Sequence, residues 1–249
     1  MSHEVSFLFH PVNALLVALF GAPPEWWSRA MGLGETPGAW LPDHVLMAFL
    51  VLLFVSVLLI VARRSYSLDR PSVVQQILEL LLSAFRNLTD DVIGHGRGKD
   101  FVPIITSLAF FIFLSNLFGL VFFLMPPTAN TSTTFALSLT AFLFYNIVGI
   151  RRQGVLGYAK QFVGPVWWLF PLMVPLEIIS HLARVLSLAL RLFGNIFGEH
   201  TATGIFLGLI PFVVPWPMMA LGLLGATIQA FIFIMLTAVY ISTAVAEEH

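Results

Sequence analysis

The chain has 249 residues, of which twelve are basic and thirteen acidic, for a formal net charge of −1. Hydrophobic residues make up 58% and charged residues only 10%, against about 25% charged in an ordinary soluble domain. So few charges cannot coat a water-facing surface, which excludes a cytosolic enzyme, a disordered chain and a nucleic-acid binder, and leaves an all-α polytopic membrane protein. There is no cysteine, so a disulfide framework, a Cys-based metal site and a thiol nucleophile are excluded too.

In chain order, residues 1–42 read as an outer segment. Glu4 stands where a secretory signal would carry basic residues, and no Lys or Arg precedes the apolar stretch 12–20. Trp26 and Trp27 read as interface anchors. Residues 43–62 form the first span, with Asp43 at its boundary. Residues 63–100 hold half of the basic side chains: Arg63, Arg64, Arg70, Arg86, Arg97 and Lys99. Within this segment Leu78, Leu81, Leu82 and Phe85 mark one helical face and Gln75, Gln76 and Arg86 the other, which predicts an amphipathic surface helix over 72–88.

Residues 101–150 lack any Asp, Glu, Lys or Arg and hold two spans, parted by a polar turn at 126–132. A loop over 151–166 carries Arg151, Arg152 and Lys160, with Trp167 and Trp168 as further interface anchors. Residues 167–249 hold two more crossings, separated near Pro211, Pro215 and Pro217. Five crossings put the termini on opposite sides. The basic segments after spans one and three share a side, cytoplasmic by the positive-inside rule, so the N-terminus is outside and the C-terminus inside. The whole reads as a single membrane domain.

Several motifs carry nothing. The loop Gly94-His-Gly-Arg-Gly lacks the Gly-Lys-Ser/Thr of a phosphate loop, and Asn87 and Asn130 match a glycosylation pattern common by chance. No internal repeat supports an inverted-repeat transporter, and no His-Glu-x-x-His or Gly-x-Ser-x-Gly supports an intramembrane hydrolase.

The informative stretch is 171–200. Counting about 100° per residue from Glu177, His181 lies at about 40°, Arg184 at about −20°, Arg191 at about −40°, Asn195 at about 0° and Glu199 at about 40°. His200 is about 100° beyond Glu199. One helix thus carries a polar stripe about 33 Å long, with small residues Ser187, Ala189, Gly194 and Gly198 beside it that permit close helix approach. The next crossing contains one strongly polar residue, Gln229. Positions 191 and 229 are symmetric about the intervening turn, which predicts Arg191 and Gln229 at similar depth in an antiparallel hairpin. A buried Arg can serve structure alone by pairing with Glu177 or Glu199, but a continuous ionisable stripe lines an aqueous pathway or a proton relay. Arg184 reads either as part of the stripe or as a snorkelling side chain, His181 as relay or core, and Asn116 as helix–helix glue or function. A self-contained secondary transporter and a structural scaffold remain the alternative readings.

The run Leu186-Ser-Leu-Ala-Leu-Arg191-Leu-Phe-Gly-Asn195 resembles the signature of subunit a of F-type ATP synthases, bacterial type. Asn116-Leu-Phe-Gly119, Pro127-Thr-Ala-Asn130, Gly149-Ile-Arg-Arg-Gln-Gly154, Gly157-Tyr158, Gln229-Ala-Phe-Ile-Phe and the end Glu247-Glu248-His249 are similar to further stretches of that family, so the resemblance covers nearly the whole chain. It implies a stator proton channel in the bacterial inner membrane, working against a ring of c subunits and assembled with peripheral-stalk b subunits and the rest of the complex. Membrane lipid surrounds it, and no cofactor, metal or nucleic acid is implied. The chain would be no enzyme alone but a part of the proton-transporting ATPase.

In that scheme Arg191 matches the essential arginine that separates two half-channels, with Asn195 and Gln229 as neighbours. Glu177 and His181 would belong to the cytoplasmic path, and Glu199 and His200 to the outer one. Many relatives carry Glu nine residues after the arginine; here His200 is there and Glu199 precedes it. Some bacterial relatives carry His seven residues before the Gln; here that position is Gly222. Phe122 stands where Pro is common. Both Glu199 and His200 therefore stand as candidates for the outer relay. The stretch 171–209 would be about 58 Å long as one helix, so it has to tilt strongly or break.

Overall fold

The computed structural model describes residues 8–31, 33, 39–64, 66–67, 71–94, 98–120, 124–163, 170–209 and 215–245, with side chains described except at 29–30, 159–163, 207–209 and 215. Glu4, Arg70, Arg97, Phe122, Trp167, Trp168, Pro211 and the end Glu247-Glu248-His249 lie outside the described residues, as do the side chains of Arg29, Lys160 and Pro215. Eight α-helices are described: α1 (Phe9–Phe20), α2 (Glu25–Ala30), α3 (Asp43–Arg64), α4 (Val73–Ile93), α5 (Val102–Phe118), α6 (Thr131–Val163), α7 (Phe170–Leu209) and α8 (Pro215–Val245). Two 3-10 turns, Gly98–Phe101 and Pro127–Ala129, introduce α5 and α6. Five helical stretches are long and apolar enough to cross a membrane: Asp43–Arg64, Gly98–Phe118, Thr131–Tyr158, Phe170–Phe206 and Trp216–Val245. The chain is an all-α polytopic membrane protein.

Local chemistry accounts for the helix ends. In α3 Asp43 lies in the first turn and Arg63 and Arg64 in the last, which complements the helix dipole at both ends. Ser72 caps α4 by accepting from the Gln75 backbone N–H at 3.3 Å. Gln75 itself, expected on the outward polar face, is buried: its amide holds the Ser67 backbone N–H and carbonyl at 3.1 and 3.2 Å and donates to Glu79 at 2.9 Å. An amide with two donors and an acceptor can staple the chain leaving α3 onto α4, a use that face periodicity does not reveal. The helix also runs beyond the expected 72–88, to Ile93, where Gly94 at φ 117° ends it.

The loop expected over 151–166 is largely helical. Helix α6 continues to Val163, bent at Gly154, whose φ of 75° a side chain would resist. Charged residues at Arg151 and Arg152 mark the membrane boundary but do not break a helix. Helix α7 is continuous over 40 residues despite Pro175 in its second turn, about 60 Å against a hydrocarbon core of about 30 Å. An unbroken helix of that length fits only by steep tilt.

Helix α8 is central, packing on α4, α5, α6 and α7. Its buried positions are rich in alanine, with Ala226, Ala230, Ala238 and Ala244 turned inward. Between lipid-bathed helices association comes from close packing rather than from hydrophobicity, and small residues permit it. Gly149 on α6 shows how tight the fit is: a Cβ there would lie 2.6 Å from the Tyr158 ring and 3.2 Å from the Ala244 carbonyl oxygen.

The N-terminal part has a polar clamp. Buried Asn13 on α1 accepts from the backbone N–H groups of Trp40 and Leu41 at 2.8 and 3.0 Å, and donates to the Leu41 carbonyl at 3.1 Å. Trp27 donates to the Trp40 carbonyl at 2.8 Å, and Trp40 to the Gly21 carbonyl at 2.9 Å. Trp27, expected as an interface anchor, thus serves as a tether within this segment. Asn13→Ala leaves two backbone donors without an acceptor. Amide exchange at Trp40 and Leu41 should rise by about tenfold or more; unchanged exchange would show that the clamp is not what fixes this segment.

Candidate functional site

The polar stripe on α7 is real as a helical arc but not as a single facing surface. Near the start of α7, His181 is buried and meets α6: its Nδ1 lies 3.0 Å from the Tyr145 hydroxyl, and its Nε2 lies 3.3 Å from Glu177 Oε1 one turn earlier. Tyr145 is 2% exposed, so the chain Glu177–His181–Tyr145 leads from the half-buried carboxylate into the bundle. Arg184 lies over the Tyr240 ring on α8 at 5.2 Å, a cation–π contact that gives it a partner on that helix. Further along, Asn195 and Glu199 turn toward α8. A long helix crossing its partners at an angle changes neighbour along its length, so one arc points to α6 at one end and α8 at the other.

Arg191 lies between these ends and is exposed, with Leu186, Ser187, Leu190, Asn195 and Phe197 exposed around it. Among the described residues it makes no ion pair and no hydrogen bond. Of the five candidate spans α7 is the least covered by the rest of the chain, with 11% of its window buried. Gln229 is the opposite case: it is 1% exposed, and its Oε1 accepts from Asn195 Nδ2 at 2.6 Å. The hairpin therefore sets Gln229 directly against Asn195. Arg191 lies one turn away, about 6 Å along the axis; the depth match expected between Arg191 and Gln229 is displaced by that turn.

About 12 Å beyond Arg191 along α7, Glu199 turns toward α8. A Cβ placed on Gly222 would collide with Glu199 Oε1, and one on Gly225 would be 3.8 Å from Oε2; Leu120 also lines this spot. The missing side chain at 222 is thus the space that the Glu199 carboxylate fills. His200 points elsewhere, toward the end of α5: a Cβ on Gly119 would lie 2.9 Å from His200 Nε2 and 2.8 Å from Pro126. The two outer candidates are held in different clefts. Asn116 is buried and accepts from the Thr128 hydroxyl at 2.7 Å, which pins the 3-10 turn before α6 onto α5, while its Nδ2 has no hydrogen-bond partner among the described residues. Ser187 lies on the exposed face with Arg191.

Sequence reasoning missed the α6 side of the site. Besides Tyr145, the Tyr158 hydroxyl donates to Asn146 Oδ1 at 2.6 Å, and Gln153 donates to the Ala244 carbonyl on α8 at 3.1 Å. Tyr145 and Asn146 are adjacent polar side chains in a charge-free span, the same signal that singled out Gln229. No group of three or more His, Asp or Glu side chains suited to a metal occurs among the described residues.

Comparison with known proteins gives a consistent result. Residues 45–242 match the family model described as ATP synthase A chain. The chain is 45% identical over 206 residues to the protein named ATP synthase subunit a 1 of Syntrophotalea carbinolica, covering 83% of this chain and 87% of that one. It is 40% identical over 207 residues to ATP synthase subunit a of Geobacter sulfurreducens, covering 83% and 89%.

Proposed function

Because the chain belongs to the ATP synthase A chain family, we propose that it is the stator proton channel of a bacterial ATP synthase, a single membrane unit facing a rotating ring of c subunits and held by peripheral-stalk b subunits. The family membership supports a place in the ATP synthase complex, which couples ion flow to ATP synthesis; the chain contributes the path, not the catalytic site. The basic end, with Arg63, Arg64, Lys99 and Arg152, faces the cytoplasm, so the N-terminus is outside and the C-terminus inside.

The observation that carries this reading is Arg191. A guanidinium does not lose its proton in a protein, and at mid-membrane a lone one costs about 2.5 to over 10 kcal/mol. An exposed Arg191 without a counter-ion among the described residues, on the barest span, calls for an anion brought by a partner. A passing ring carboxylate supplies it. The fixed positive charge favours the ionised form of that carboxylate by about 1.4–4 kcal/mol, and repels a proton crossing directly between the half-channels. A membrane potential of about 150 mV supplies about 3.5 kcal/mol per charge, enough to move the ring on. Asn195 and Gln229 hold polar groups one turn outward, where they share solvation of Arg191. Glu199 and His200 serve the outer half-channel, and Glu177, His181 and Tyr145 the inner one.

The absence of native cysteine makes a direct test clean. In a complex otherwise freed of thiols, Leu190→Cys, on the exposed face beside Arg191 and labelled with a photoreactive maleimide-benzophenone, should cross-link on illumination to a small ring subunit and stop ATP-driven pumping. Cross-links formed only from α3, for example at Leu53→Cys, would turn the site away from the ring and end this reading. For the inner path, His181→Ala and Tyr145→Phe should each slow proton flux severalfold in reconstituted vesicles, with the ring still assembled. Wild-type flux in both would remove Glu177–His181–Tyr145 from the path.

A further inference from the structure

We propose that the cavity between α3, α4 and α5 binds an anionic phospholipid, with Arg86 and Lys99 holding its phosphate. The cavity measures about 770 Å³ and its walls are apolar, formed by side chains such as Leu52, Leu59, Leu78, Leu82, Phe110 and Phe111. At its rim are Arg86 and Lys99, both exposed, neither with an ion pair among the described residues. No carboxylate lines it. The nearby Asp100 is engaged by Arg152 at 3.0 Å. An apolar hollow with two uncompensated cations at its mouth complements acyl chains beneath an anionic head group.

Depth favours a lipid over a protein helix. The lining runs from Leu52 to Leu59 on α3 and from Val102 to Phe111 on α5, about 10 to 14 Å along each helix. That is about a third to a half of a 30 Å core, no deeper than one leaflet; a transmembrane helix would need a groove along the whole of it. Helix α4 forms the third wall, and its exposed Val73, Ile77 and Leu80 give it an apolar surface suited to lipid. The proposal does not depend on which leaflet the basic end occupies, nor on the role of Arg191.

The test uses the assembled membrane complex reconstituted with photoactivatable phosphatidylglycerol or phosphatidylcholine of the same chains, with labelled peptides read by mass spectrometry. Phosphatidylglycerol should label the walls of this cavity about tenfold more than phosphatidylcholine. The double variant Arg86→Gln, Lys99→Gln should erase that preference, while Arg63→Gln, Arg64→Gln, a basic pair outside the cavity, should keep it. Equal labelling by the two lipids, a preference that survives in the Arg86, Lys99 variant, or equal loss in both double variants would overturn the site. So would capture of another polypeptide by a photoreactive residue placed at Ser56.

Discussion

Arg191→Ala should abolish ATP-driven proton pumping by the assembled complex while the complex itself still forms. Arg191 is exposed and makes no ion pair or hydrogen bond among the described residues, so its removal breaks nothing inside the chain. What is lost is the stabilisation of an ionised partner carboxylate, worth about 1.4–4 kcal/mol and so about 10- to 1,000-fold in proton release. Arg191→Lys is the sharper variant. It keeps a positive charge in water, but a desolvated lysine can release its proton where a guanidinium cannot. Pumping by Arg191→Lys should therefore also fall by more than about tenfold. Membranes bearing either variant would be assayed by acidification of inverted vesicles on ATP addition. Pumping near the wild-type rate in Arg191→Ala would show that the charge has only a scaffolding role.

The second large effect is expected at the outer cleft. Glu199→Gln keeps size and polarity but removes the titrating group, and loss of a positioned proton-transfer group lowers rate by about 10² or more. His200→Ala should also slow flux. Glu199 is the deeper dependence, because the structure reserves a glycine-lined cleft for its carboxylate. Gly222→Val should accordingly mimic Glu199→Gln by filling that cleft. Gly225→Ala should be tolerated, since its Cβ would make only ordinary contact with Glu199. Proton flux in vesicles with confirmed assembly is the measurement. Wild-type flux in both Glu199→Gln and His200→Ala would remove this pair from the outer path.

Most of the fold was legible because charge and hydropathy report on the bilayer directly. Asp43 and the Arg63-Arg64 pair bracket α3, and the uncharged stretch 101–150 contains α5 and most of α6. The hairpin was legible as well, since Gln229 is the lone strongly polar residue of α8 and contacts the helix that carries Arg191. What escaped depends on packing between helices. Gly222 was visible as a departure from the family pattern, but its meaning as room for Glu199 required the α7–α8 contact. Tyr145 and Asn146 carry the same signal as Gln229, polar side chains in a charge-free span, but only their approach to His181 and Tyr158 gives them weight. The helical character of residues 151–163 was not legible, because basic residues mark a membrane boundary without ending a helix, and α6 runs through them.

The central claim is that Arg191 keeps two proton paths apart, so that protons cross only as the ring turns. Passive proton flux through reconstituted complexes whose ring has been locked by cross-linking tests it most directly. With the ring locked, the wild-type chain should pass no protons, whereas Arg191→Ala should leak, because nothing then repels a proton moving directly between the clefts of Glu199 and His181. A locked Arg191→Ala complex as tight as the wild type would contradict the account.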